Sequence, residues 1–137
     1  MKRVRAFALV AAAAGLLGTG CTGNAEQGLE TAGQAEDLSA QADLRNASVA
    51  AKVYLAENGT LGSFTAAAAK QAEPSINWTD GAVAVSGQIS IRGPSDQGVA
   101  LVTKDASGSV LCIGVFPTSE SMGRVDAQTA AECTGGW

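Results

Sequence analysis

The chain has no histidine, few aromatic residues and no apolar run long enough to cross a membrane. Without histidine there is no Ser-His or Cys-His nucleophile pair, and the commonest general base near neutral pH is missing. Carboxylates remain, but Glu57, Glu73, Asp80, Asp96 and Asp105 fall near expected helix ends and turns, where capping, turn chemistry and solubility account for them. No enzyme is expected, and no catalytic residue is assigned. The longest apolar stretch, Ala6 to Leu17, is twelve residues, whereas a spanning helix needs about 20. Beyond position 20 the aromatic residues are Tyr54, Phe64, Trp78, Phe116 and Trp137, and alanine dominates the rest. A core built this way is thin, and Tyr54 and Trp78 are expected inside it. Trp137 is equally readable as a plug folded back on the domain or as an exposed contact.

Positive charge is also scarce after the first few residues. From Cys21 onward six basic side chains, Arg45, Lys52, Lys70, Arg92, Lys104 and Arg124, stand against thirteen acidic ones and are dispersed along the chain. A phosphate backbone is bound by clustered Lys and Arg, so nucleic acid is not an expected partner.

At the start, Lys2, Arg3 and Arg5 precede the short apolar run, the order of a secretory signal that is removed on export. Thr19-Gly20-Cys21 resembles the end of bacterial lipoprotein signals, in which the cysteine is acylated and becomes the first residue, with Gly18 standing where leucine is usual. That resemblance implies lipidation of Cys21 and a place on the outer face of the cell membrane or envelope, with the membrane as partner through the anchor. The alternative is an ordinary signal cut nearby, leaving Cys21 a free thiol. Residues 1–20 are thus expected as signal peptide, 21–36 as a flexible polar tether after the lipidated cysteine, and 37–137 as one folded domain.

Cys112 and Cys133 enclose 20 residues. In an exported chain such a remaining pair reads as a disulfide, which at this loop size contributes about 3 kcal/mol in the chain-entropy model. Two cysteines without histidine or a CxxC spacing cannot fill a zinc shell. Asp96 and Asp105, near strand ends, are the nearest candidates for calcium, but their spacing is no EF-hand loop. No metal and no cofactor are expected. The sequon-like triplets at Asn46, Asn58 and Asn77 read as helix-surface and turn residues.

Ala40, Leu44, Ala47, Ala51, Tyr54 and Asn58 recur at helical spacing from Asp37 onward and predict a helix with one buried face, Asp37, Gln41, Arg45, Ser48 and Lys52 lying on another. Asn58-Gly59 supplies its stop. Thr65 predicts the N-cap of a short helix over Ala66–Ala72, ended before Pro74. Val83 with Val85, Gln88–Arg92, Val99–Lys104 and Ser109–Val115 read as strands, the last two joined by the turn Asp105-Ala-Ser-Gly108. Pro117–Arg124 reads as loop and Ala127–Glu132 as a helical turn. The expected fold is α+β, a long N-terminal helix packed on a small antiparallel sheet.

Asp43-Leu-Arg-Asn-Ala47, Ala50-Ala51, Tyr54, Glu57-Asn-Gly-Thr60, Glu73-Pro-Ser75, Trp78 and Asp80-Gly81 resemble, in order and spacing, the head domains of type IV pilin-like proteins of Gram-positive bacteria. Cys112 and Cys133 are similar to the pair closing the pilin C-terminal loop. The N-terminus departs from that family: no prepilin site and no long apolar helix with an early glutamate is present. The resemblance implies a head that presents loops to partners, acting by binding or assembly. Two further readings stand beside it: a minor subunit or accessory factor of a type IV pilus or secretion pseudopilus, with envelope or pilus-related partners, and a small solute-binding or envelope-enzyme lipoprotein.

Overall fold

A computed structural model describes residues 24–137, with side chains from Gly33 onward. The expected signal peptide and Cys21 lie outside the described residues.

The first element is a helix, α1, Asn24–Asn58, about 52 Å long for its 35 residues. It begins well before Asp37 and runs through residues 24–36, where a flexible tether was expected. Composition explains the difference. Glu26, Gln27, Leu29, Glu30, Ala32, Gln34, Ala35 and Glu36 are good helix formers, and once packing nucleates the C-terminal half, each added residue costs little. Lack of large apolar residues argues against burial of that stretch, not against helicity. At the other end Gly59, at φ 75°, terminates the helix, its amide donating to the Leu55 carbonyl at 2.7 Å.

Ala40, Leu44, Ala47 and Ala51 are buried as the spacing predicts. Ala50 and Ser48 join them, so the buried face is wider than expected. Ser48 is accommodated because its hydroxyl donates to the Arg45 carbonyl at 2.9 Å. A second helix, α2, Ala66–Ala72, starts where expected, the Thr65 hydroxyl accepting from the Ala68 amide at 3.3 Å. Asp80 accepts from the first-turn amide of Ala66 at 2.8 Å.

Five strands follow in chain order and lie side by side in the same order: β1 Trp78–Asp80, β2 Ile89–Ser95, β3 Gly98–Lys104, β4 Val110–Val115 and β5 Glu120–Gly123. The sheet is mixed, not antiparallel throughout, because β1 pairs parallel with β2 while all other pairs are antiparallel. Two expectations fail with it. Val83 and Val85 form no strand: the Ala82 carbonyl accepts from Ser90 Oγ at 2.7 Å and from Arg92 Nη2 at 2.9 Å, so segment 81–88 crosses between the parallel strands instead of pairing along one. Conversely Glu120–Gly123, expected as loop, becomes β5. Glu-Ser-Met-Gly has little β propensity of its own, and the free edge of β4 recruits it. The turn between β3 and β4 forms as expected, and of the helical turn expected over Ala127–Glu132 only Ala130–Glu132 forms.

Alternation along the strands sends two sets of side chains to two faces. Toward α1 point Ile89 and Ile91 of β2, Val99 and Leu101 of β3, and Leu111, Ile113 and Val115 of β4, which pack with Leu44, Ala47, Leu61, Phe64 and Trp78. Phe64 lies between Tyr54 and Trp78, with ring centroids 5.2 and 6.1 Å away. The expectation of Tyr54 and Trp78 inside is met by Trp78, whose indole donates to the Glu73 carbonyl at 2.9 Å; Tyr54 is half-buried at the core edge.

The opposite face carries Ala100, Val102 and Cys112, with Ala84, Ala127 and Cys133 over them. Among the described residues, coil and one 3-10 turn cover it. Cys112 and Cys133 sit at disulfide distance, S–S 2.09 Å and Cα–Cα 5.9 Å, and pin the C-terminal segment. Arg92, buried on this face, donates through Nε to Ser90 Oγ at 3.2 Å and through Nη1 to the Ala127 carbonyl at 3.2 Å and to the Asp126 carboxylate. The cover lies so close that a Cβ at Gly114 would strike the Ala130 carbonyl, and one at Gly123 the Thr134 carbonyl.

Candidate contact surface

The carboxylates singled out in the sequence separate on folding. Asp96 accepts the Thr60 hydroxyl, Asp80 caps α2, and Glu73 is held below the ordinary carboxylate range by the Ser75 hydroxyl and then its amide. Asp105 is nearly buried. Burial alone would raise its pKa, but the Ser107 hydroxyl and the amides of Ser109, Ser107 and Gly108 outweigh it and hold the carboxyl below its usual value. Asp96 and Asp105 flank opposite ends of β3, about 20 Å apart at the rise of a seven-residue strand. No group of three potential ligands gathers among the described residues.

The basic side chains are mostly engaged within the chain. Arg124 pairs with Asp37 at 2.9 Å and Lys52 with Glu120 at 3.0 Å, while Arg92 is buried. Arg45 lies over the Trp137 ring, 5.3 Å from its centroid. Trp137 folds back, its indole donating to the Cys112 carbonyl at 3.0 Å and its ring packing against the core under α1. That settles the two sequence readings in favour of a plug. Beside it, the Gly136 amide donates to the Met122 carbonyl at 2.8 Å, so the tail shields part of the β5 edge.

What remains open is the outward face of α1. Leu38, Val49 and Val53 are 63, 58 and 44 % exposed, with Ala42 and Ala56 exposed between and beyond them. A surface helix of a globular domain ordinarily turns charge outward; here apolar residues follow the solvent side for most of its packed length. Grooves flank the C-terminal half of this face. One of about 660 Å³, between α1 and the β4–β5 turn, has Leu55, Ala56, Phe116 and Pro117 in its walls and the Lys52–Glu120 pair at its rim. The other, about 300 Å³, runs between α1 and α2 past Val53, Tyr54 and Ala68. The sequence pattern set the buried stripe of α1 against the polar face of Asp37, Gln41, Arg45, Ser48 and Lys52, and this third side was missed. The signal was present in Leu38, Ala42, Val49 and Val53, which share the opposite side of a helical wheel.

No protein-family model matches the chain, and no curated protein and no solved structure matches it.

Proposed function

We propose that this chain is a lipid-anchored extracytoplasmic protein whose pilin-like head acts by binding or assembly rather than catalysis. The observation that carries the reading is the apolar outward face of α1. An exposed hydrophobic strip on a small domain marks a site of association. Further support comes from the charged-then-apolar order ahead of Thr19-Gly20-Cys21 and from the cysteine pair, which suits an oxidising compartment. Helix first, sheet second and a cysteine-closed tail last favours a finer version, a minor or accessory component of a pilus or secretion pseudopilus.

The test is the intact mass of the protein extracted from its own membranes, before and after reduction with thiol alkylation. The reading requires a chain starting at acylated Cys21, with two alkylations appearing only on reduction. An unacylated chain cut elsewhere would remove the anchor. Recovery with sheared filaments would favour the pilus component, and retention solely in the detergent phase would oppose it.

A further inference from the structure

We propose that the outward face of α1 pairs with the same face of a second copy of this chain, parallel and in register; the inference rests on the contact-surface reading above and names its partner. Ala35, Ser39, Ala42, Asn46, Val49 and Val53 are exposed and follow one another at alternating steps of four and three. That is the 3.5-residue period of a two-helix seam, sustained over about 27 Å of helix.

The shoulders of this seam carry unlike charge. Arg45 and Lys52, with Leu38, line one side, and Glu36, Asp43 and Glu57 line the other; all are exposed. Two copies packed antiparallel set like shoulder against like shoulder. Packed parallel, the basic shoulder of one lies along the acidic shoulder of the other, with Lys52 facing Glu57 of the second copy in the spacing such pairs use. Lys52 already reaches Glu120 and Arg45 lies over Trp137, yet both side chains stay on this shoulder, and Lys52 remains 48 % exposed. Asn46 sits within the seam, where a polar residue facing its own counterpart selects one register at a cost in stability. Small side chains dominate the seam, so the pair is weak between free molecules. An N-terminal anchor on each copy presents both helices the same way up and raises their effective concentration.

The experiment uses the full chain in its own membranes, with single substitutions Ser39→Cys, Val53→Cys and, on α2, the exposed control Gln71→Cys. In a parallel in-register pair each seam cysteine meets its own counterpart within disulfide reach, whereas in an antiparallel pair residues 39 and 53 do not meet themselves. Cys112 and Cys133 are fully buried and do not compete. The expected result is a disulfide-linked homodimer from both seam variants and none from Gln71→Cys, with Val49→Glu abolishing the Val53→Cys dimer and melting temperatures unchanged. Linkage of Ser39→Cys to Val53→Cys in a mixture, without self-linkage, would overturn the parallel arrangement. Seam cysteines linked only to a different protein would overturn the second copy while leaving the contact surface; no adduct of any kind would remove both.

Discussion

The two faces of the sheet are buried by different means. Under α1, burial comes from large side chains: Leu44, Leu61, Phe64, Ile89, Ile91, Leu101, Leu111 and Ile113 interlock beneath a regular helix. Across the sheet the residues are small, and the cover is coil held by one cysteine pair, one buried arginine and close backbone approach at Gly114 and Gly123. Burial of apolar area, at roughly 25 cal/mol per Å², stabilises the first face with little help. A layer of alanine, valine and glycine buries too little for that, so covalent and hydrogen-bonded ties replace it. Dependence on the redox state therefore falls chiefly on the second face and reaches the first only through Trp137, which follows Cys133 and packs under α1.

The largest effect is expected on the helix face. Phe64→Ala removes the ring between Tyr54 and Trp78 and should destabilise by about 3–5 kcal/mol, by the same amount in oxidised and reduced protein, as read by denaturant unfolding. Next stands Cys112→Ser, expected to cost about 2–5 kcal/mol. It sharpens the comparison when combined with Gly123→Ala, whose added methyl strikes the Thr134 carbonyl and should cost about 1–3 kcal/mol. With the pair intact the tail cannot withdraw; without it the tail can, so the glycine substitution should cost less in the Cys112→Ser background. Strict additivity in that double-mutant cycle would contradict a pinned cover. Smallest is Asp105→Asn at the β3–β4 turn. Because the folded carboxyl titrates below its unfolded value near 3.9, its contribution is present above that pH and is lost as pH falls through the folded pKa. The melting temperatures of wild type and Asp105→Asn should differ at neutral pH and converge in acid.

Legibility from sequence follows the same division. The buried stripe of α1, the Thr65 cap, strands β2 to β4 and the Asp105 turn rest on local periodicity and turn chemistry, and those were readable. β5 was not, since Glu-Ser-Met-Gly becomes a strand only because β4 offers an edge. Nor was the parallel pairing of β1, or the crossing of Val83 and Val85, which depends on Arg92 and Ser90 reaching the Ala82 carbonyl from distant positions. Cysteine spacing foretold the pin at Cys112 and Cys133, but nothing local marked Gly114 and Gly123 as the places where the cover touches the sheet. The outward stripe of α1 was legible in principle; a helix carrying apolar residues on two sides offers two answers, and the core accounts for only one.

The most direct test is amide hydrogen exchange on oxidised and reduced protein. Reduction should raise exchange far more in β5 and residues 124–137 than in the buried half of α1, β2 and β3. Equal loss of protection in α1 and in the tail would contradict the account, because both faces would then depend on the same tie.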